Sequence, residues 1–346
     1  MIQEISKDEY LQKYNSSENY LNQTTKKWIE LISKSYKYPV KIFAIKKEED
    51  IFTAILFFVT KNWLGGKKLI FIPFMDDISF KNIDSKNINE LLFFIKNAYL
   101  SEYSQIVFRC DLSSFISNNK IIVDSIYFDN SYIKQSLKLN QELNQIKNKF
   151  SVNCKRNINK ALKNHIIIKK LIDDQALNEF YYLHLLTRKK HGVPVQPFNF
   201  FKKLKEVILD TGNGIILTAY RDNIPLASAI FLFDNFSMIY KYGASNPKLL
   251  YYRPNEILFF EAIKMAKEKK LEIFDFGISK INNFGLRHFK SGFGATESPV
   301  SYSVMSNKPI KKKGKTGDNK VIKFIIRHSP LWLIRLIGEL FYKFAA

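Results

Sequence analysis

The chemistry in this sequence concentrates in one stretch, FDFGISKINNFGLRHFKSGFGATE, residues 274–297. Four of the chain's 13 glycines, Gly277, Gly285, Gly292 and Gly294, fall within 18 positions around a single lysine, Lys290. Glycine serves where the backbone turns sharply or lets another group approach closely. Between Phe289 and Phe293, which can anchor the segment to a core, Lys290 would be carried to the edge of a cleft. A fixed cation there suits a reaction that builds negative charge in its transition state. The plain alternative is a surface lysine on a tight hairpin. Asp275, on the strand that opens the stretch, could act as a general base or orient one, or be a hydrogen-bonded structural carboxylate.

The totals narrow the partners. The chain has 346 residues, 46% of them hydrophobic, enough for one large or two ordinary cores. Lys and Arg number 54 against 32 Asp and Glu, a formal net charge of +22. That excess predicts an anionic partner such as RNA, a phosphorylated substrate or an anionic membrane face, unless it reflects composition alone. Cys110 and Cys154 stand apart, and the five histidines lack metal-ligand spacing, so no disulfide framework or metal site is expected. The polar start, MIQEISKDEYLQKY, has no signal-peptide core, which predicts a cytoplasmic protein.

Two blocks of mixed α/β grammar position the candidate residues. Short β-branched and aromatic runs at 40–47, 51–60 and 67–74 read as a meander, followed by a helix over 87–103 and a strand over 105–112. The second block reads helix 173–192, helix 197–212, then strands 214–221, 224–233 and 236–245 joined by two DN turns. A helix over 253–270, with Pro254 in its first turn, and a strand over 271–277 close it. Between Glu142 and Asp173 there is no acidic residue, while eight Lys and Arg fall in 147–170. VNCKRNINKALKNH in that run reads as a helix with basic residues near three- and four-residue spacing, either a nucleic-acid track or a solvated face.

Several motifs in this order resemble the GNAT-type acyltransferases related to the FemABX peptidyltransferases, which add amino acids to peptidoglycan precursors. They are IPFMDD (72–77), SVNCKRNINKALKN, LTRKKHGVPVQPFNFF (186–201), RPNEILFFEAI followed by FDFG, and GLRHFKSGFGA, together covering roughly residues 40–303. The resemblance implies a mixed α/β fold of two tandem GNAT-like subdomains, 1–150 and 151–305; the sequence pattern itself makes 306–346 a basic linker and amphipathic tail. The resemblance also implies a catalytic role for Lys290 and substrate contact at Asp76, while Asp275 stands as the candidate general base read from its strand. His288 departs from the pattern, standing where Tyr or Arg is expected.

In such folds the strand before the main helix splays from its neighbour, and IYKYGAS is placed to be that strand. Tyr240 and Tyr242 alternate with Lys241, so one side of the strand is expected to carry both, lining the cleft or packing. The next helix offers unpaired N–H groups and a positive dipole end to phosphates, with Lys248 and Arg253 adding charge. Asn255 would cap that helix or bind a ligand. The loop lacks the usual GNAT pyrophosphate motif, Q/R-x-x-G-x-G/A, which weakens a standard acetyl-CoA grip.

After the lysine-rich segment 308–320, Lys323, Arg327, Arg335, Glu339 and Lys343 fall on multiples of four and leave a broad apolar face. Pro330 and the frequent charges argue against a spanning helix. The expectation is that 321–345 lies on an anionic inner-membrane surface, the alternative being a helix docked on the protein's own body. The sequence thus points to an N-acyltransferase acting on an amine of a cell-envelope precursor, with aminoacyl-tRNA as donor. The same chemistry with acyl-CoA or an acyl carrier, on a polysaccharide sugar or another envelope acceptor, is the near alternative. A non-catalytic RNA- or membrane-binding protein is the distant one.

Overall fold

The computed structural model describes residues 1–16, 23–47, 50–61, 65–71, 85–109, 125–307 and 320–344. The candidate Asp76 and the lysines of 308–319 lie outside them. The chain divides into two compact units, the first made of Met1–Tyr132, Val300–Lys313 and Lys343–Ala346, the second of Ile133–Pro299 and Gly314–Tyr342. The joint expected at residue 150 falls inside the second.

In the first unit, β1 (Ile2–Ile5), α1 (Lys7–Ser16), α2 (Gln23–Tyr36), β2 (Val40–Lys47), β3 (Asp50–Lys61), β4 (Lys67–Phe71), α3 (Ser85–Tyr99) and β5 (Gln105–Phe108) follow in chain order. The strands stand side by side in that same order, as the apolar runs and short charged turns require. Phe43, Phe57, Phe71 and Phe108 share one core with Leu91, Leu92 and Ile95 of α3.

β6 (Ile126–Lys138) carries the chain into the second unit. There α4 (Leu143–Asn148), α5 (Val152–Lys163), β7 (Ile167–Leu171), α6 (Asp174–His191) and α7 (Phe198–Leu204) precede the meander. It consists of β8 (Gly214–Arg221), β9 (Ile224–Phe233) and β10 (Ser237–Ser245), followed by α8 (Pro254–Glu268), β11 (Ile273–Lys280) and α9 (Phe284–Ser291). The strand order is β6-β11-β10-β9-β8-β7. β12 (Thr296–Met305) leads back to the first unit, where Ser303–Met305 pair with β5.

Local chemistry sets these elements. Asp222 and Asn223 both take positive φ, the conformation a two-residue hairpin needs. At the second turn the Asp234 carboxylate accepts from the Phe236 and Ser237 amides. α6 starts where Asp173 accepts from the Ala176 amide at 2.8 Å and ends in Arg188–His191, complementing its dipole. Alternate residues of the meander face opposite ways. Leu217, Ala229 and Phe231 join the core built with α5 and α8. On the other face Thr218 and Ser228 share a buried hydrogen bond, Tyr220 bonds Glu179, and α6 packs on β8, β9 and β10.

α10 (Lys320–His328) and α11 (Leu331–Phe341) complete the second unit. They dock on α6, and α11 also on α7, the arrangement given above as the alternative to a segment on a membrane surface. Ile326, Ile334 and Gly338 are buried, the Phe198 amide donates to Glu339 Oε1 at 2.7 Å, and the Arg335 guanidinium lies over the Phe198 ring. Gly338 is what lets α11 approach, because a Cβ there would stand 2.5 Å from the carbonyl oxygen of Val195. Gly338→Val should therefore lift α11 and cost about 1–3 kcal/mol, read in urea melts, with faster protease cleavage after Asn319. An unchanged melt would show that the contact with Val195 is not maintained in solution.

Candidate functional site

The site is built where two parallel strands part. β10 and β11 pair only over Ser237–Ile239 and Ile273–Asp275, and beyond those residues their facing edges no longer form a ladder. On its other side β10 slips register against β9 between Tyr240 and Tyr242, a bulge centred on Lys241. Bulges bend a strand and re-aim its side chains, and they are common beside active sites.

The bulge corrects one expectation directly. Tyr240 lies opposite Phe231 and Tyr242 opposite Ile230, and those neighbours in β9 face opposite ways, so the two tyrosines do too. Tyr240 packs on Phe231 and Phe259 in the α8 face, where burial pushes its hydroxyl up to about 12. Tyr242 packs on Phe200 and Phe201 under α7, where burial likewise raises it. They do not line one wall together.

Past the split, Gly277 is held by side chains. Its amide donates to Asp275 Oδ1 at 2.7 Å, and its carbonyl accepts from Lys290 Nζ at 3.0 Å. Its φ of +72° is a conformation that any other residue adopts only with strain. Asp275 Oδ2 also faces Lys134 Nζ at 3.3 Å. Asp275 is thus a hydrogen-bonded carboxylate at the point where the ladder ends.

Lys290 is neither on a loop nor at the surface. It sits in α9 with 1% of its surface exposed, and Nζ also donates to Ser279 Oγ at 2.8 Å. Burial lowers its ammonium from 10.5 to about 8, against the opposing pull of Asp275. Burial likewise lowers Lys241, at the bulge, to about 8, again against the opposing pull of Asp275. The buried Gln135 of β6 completes the arrangement. Its amide donates to the Arg287 carbonyl and to Ser291 Oγ, fastening α9 beside β11.

Gln135, Lys134, Lys241 and Ser279 were not singled out from sequence. Only Lys241 had a signal, since it interrupts a tyrosine pair. A further group lies inside α6. Gln196 Oε1 accepts from Arg188 Nη2 at 2.7 Å and lies 2.8 Å from His184 Nε2. Burial, then Arg188, holds His184 down to about 3, which keeps it neutral. Thr187 Oγ1 both donates to and accepts from the Ser245 backbone, tying α6 to the end of β10. The motif LTRKKHG therefore fixes the splayed strand.

The remaining candidates sit on the turn before α8. Lys248 is exposed, and its amide donates to Asn246 Oδ1. Arg253 is exposed with φ +62° and occupies the N-cap position of α8 without a side-chain cap. Asn255 is therefore the second residue of the helix, so its expected capping role is overturned. The first turn already holds a carboxylate, Glu256, which accepts from Asn157 of α5 at 2.9 Å. Lys290 and Asp275 come together at Gly277; Tyr240 lies in the core under α8, Tyr242 on the opposite sheet face, and Lys248 and Arg253 on the turn before α8.

Residues 148–291 match the family described as acetyltransferase (GNAT) domain. Among solved structures the chain is similar to FemX, at 14% identity and TM-score 0.63, over 88% of this chain and 96% of that one. L-PGS from Bacillus licheniformis is similar at 12% identity and TM-score 0.52, over 93% and 99% of the two chains. The tandem GNAT protein from the clavulanic acid biosynthesis pathway is similar at 6% identity and TM-score 0.52, over 88% and 98%. These identities speak to the fold, which is mixed α/β of the tandem GNAT kind. A search of curated protein sequences gave no match.

The buried lysine makes a pH prediction. A lysine whose folded value is lowered is charged in both states below about 8, so its burial cost is then fully felt. Between about 8 and 10.5 the unfolded chain holds more protons, and stability contributed by this group rises with pH. The parent should gain stability over Lys290→Met as pH goes from 8 to 10 in urea melts. A pH-independent difference would mean that Lys290 is not buried as a cation.

Proposed function

With a GNAT acetyltransferase domain over residues 148–291 as premise, we propose that this acyltransferase moves an aminoacyl or acyl group onto an amine of a cell-envelope precursor. Aminoacyl-tRNA is the favoured donor. The observation that carries the proposal is the parting of β10 and β11 at Ile239 and Asp275, held by Asp275, Lys290 and Gln135. A planar acyl carbonyl entering that gap would meet backbone groups turned away from a ladder. The acceptor amine attacks its carbon, the electron pair moves to the carbonyl oxygen, and collapse expels the donor's oxygen or sulfur, which takes up the proton that the amine gives up. Fixed donors aimed at the oxyanion favour that passage. Lys290 and Asp275 act as positioning residues, because their polar atoms are engaged with Gly277, Ser279 and Lys134.

The choice of donor rests on charge. A pyrophosphate at the N-terminus of α8 would share that end with the Glu256 carboxylate, which opposes it electrostatically. α5, whose Asn157 holds Glu256, buries Cys154, Ile158 and Ala161 and turns Arg156, Lys160 and Lys163 outward. A polyanion could follow that face. The similarity in fold to FemX, to L-PGS and to the C-terminal domain of a lysylphosphatidylglycerol synthetase from Agrobacterium fabrum is consistent with envelope chemistry. Acyl-CoA or an acyl carrier is the second reading, favoured by the family match itself.

Ribonuclease should abolish acyl transfer in an extract. Replacing Lys155, Arg156 and Lys160 with Gln should raise the apparent KM for the donor about tenfold and leave that for the acceptor unchanged. Activity that survives ribonuclease and returns to a desalted extract on adding acyl-CoA would give the reaction to the second reading.

A further inference from the structure

α10 and α11 show two different faces. The inner one, with Ile326, Ile334 and Gly338, is fixed to α6 and α7. The outer one leaves Val321, Phe324, Ile325, Trp332, Leu336 and Leu340 exposed, with Trp332 at 67% and Phe324 at 62%. Six large apolar side chains on two consecutive helices form a surface that a freely soluble protein rarely presents to water. No helix among the described residues is long and apolar enough to cross a membrane, so any such contact would be lateral.

Charge selects the occupant. Over 320–344 the chain has five Lys and Arg against Glu339, which is itself engaged with the Phe198 amide. A second copy of this face would bring like charges together, whereas an anionic lipid surface would attract them. Aromatic side chains such as Trp332 also suit the headgroup boundary.

We propose that α10 and α11, while still packed on α6 and α7, insert their outer face into the headgroup layer of an anionic bilayer. The docked helix pair then acts as a fixed foot. α6, on which it stands, also holds Ser245 of the splayed strand through Thr187. The proposal deepens the envelope reading by naming the surface on which the enzyme works, and its test uses binding alone, so its failure would leave that reading standing.

Full-length protein should sediment with vesicles of phosphatidylcholine containing phosphatidylglycerol, poorly with phosphatidylcholine alone, and be released by salt. The double substitution Phe324→Ser with Trp332→Ser, at two exposed positions, should weaken vesicle binding about tenfold or more while leaving the circular dichroism spectrum unchanged. Equal sedimentation of parent and variant, or no binding of the parent to phosphatidylglycerol vesicles, would overturn the proposal. So would light scattering showing that the double substitution turns a dimer into a monomer, which would assign the face to a second copy.

Discussion

Gly277 has both of its backbone polar groups taken by side chains, and the arrangement of the site follows from that. Asp275, two residues earlier, accepts the amide proton, and Lys290, one helix later, donates to the carbonyl. With its own two hydrogen-bonding groups satisfied in this way, Gly277 can leave the ladder with β10 without being left unpaired. The gap is thus a consequence of satisfied chemistry. Lys290 must be buried to do this, and Ser279, Gln135 and Ser291 hold it and its helix there.

The opposite side of the gap is fixed by different means. The bulge at Lys241 turns Tyr240 into the aromatic core under α8 and Tyr242 into the one under α7, so β10 is clamped on both faces. Its end is held by Thr187, and α6 is in turn covered by α10 and α11. A chain of contacts therefore runs from the C-terminal helices to the splayed strand within one compact unit.

Much of the second unit was legible in the sequence because its signals are local. The DN pairs mark the two hairpin turns, and Asp173 with Arg188–His191 marks both ends of α6. What failed was non-local. Strict alternation put Tyr240 and Tyr242 on one side, and only pairing with β9 reveals the extra residue between them. The glycines around Lys290 suggested a loop, yet Asn283 caps a helix there and the lysine turns inward to β11. Gln135 gave no signal, since it sits in a strand, IYFDNSYIKQSLK, whose polar character hides a buried amide. The amphipathic tail was visible as a pattern, but its docking depends on Val195 meeting Gly338 across more than a hundred residues.

The central claim is that the reacting carbonyl sits between β10 and β11 just beyond Ile239 and Asp275. The most direct test is a crystal structure of the full chain with a non-hydrolysable aminoacyl-adenosine amide, a mimic of the charged tRNA end. The account predicts the amide carbonyl oxygen in the gap, within hydrogen-bonding distance of the β10 backbone near the Lys241 bulge, with the adenosine lying toward α5. A mimic bound elsewhere with the gap unoccupied, or a β10–β11 ladder closed past Gly277, would contradict it.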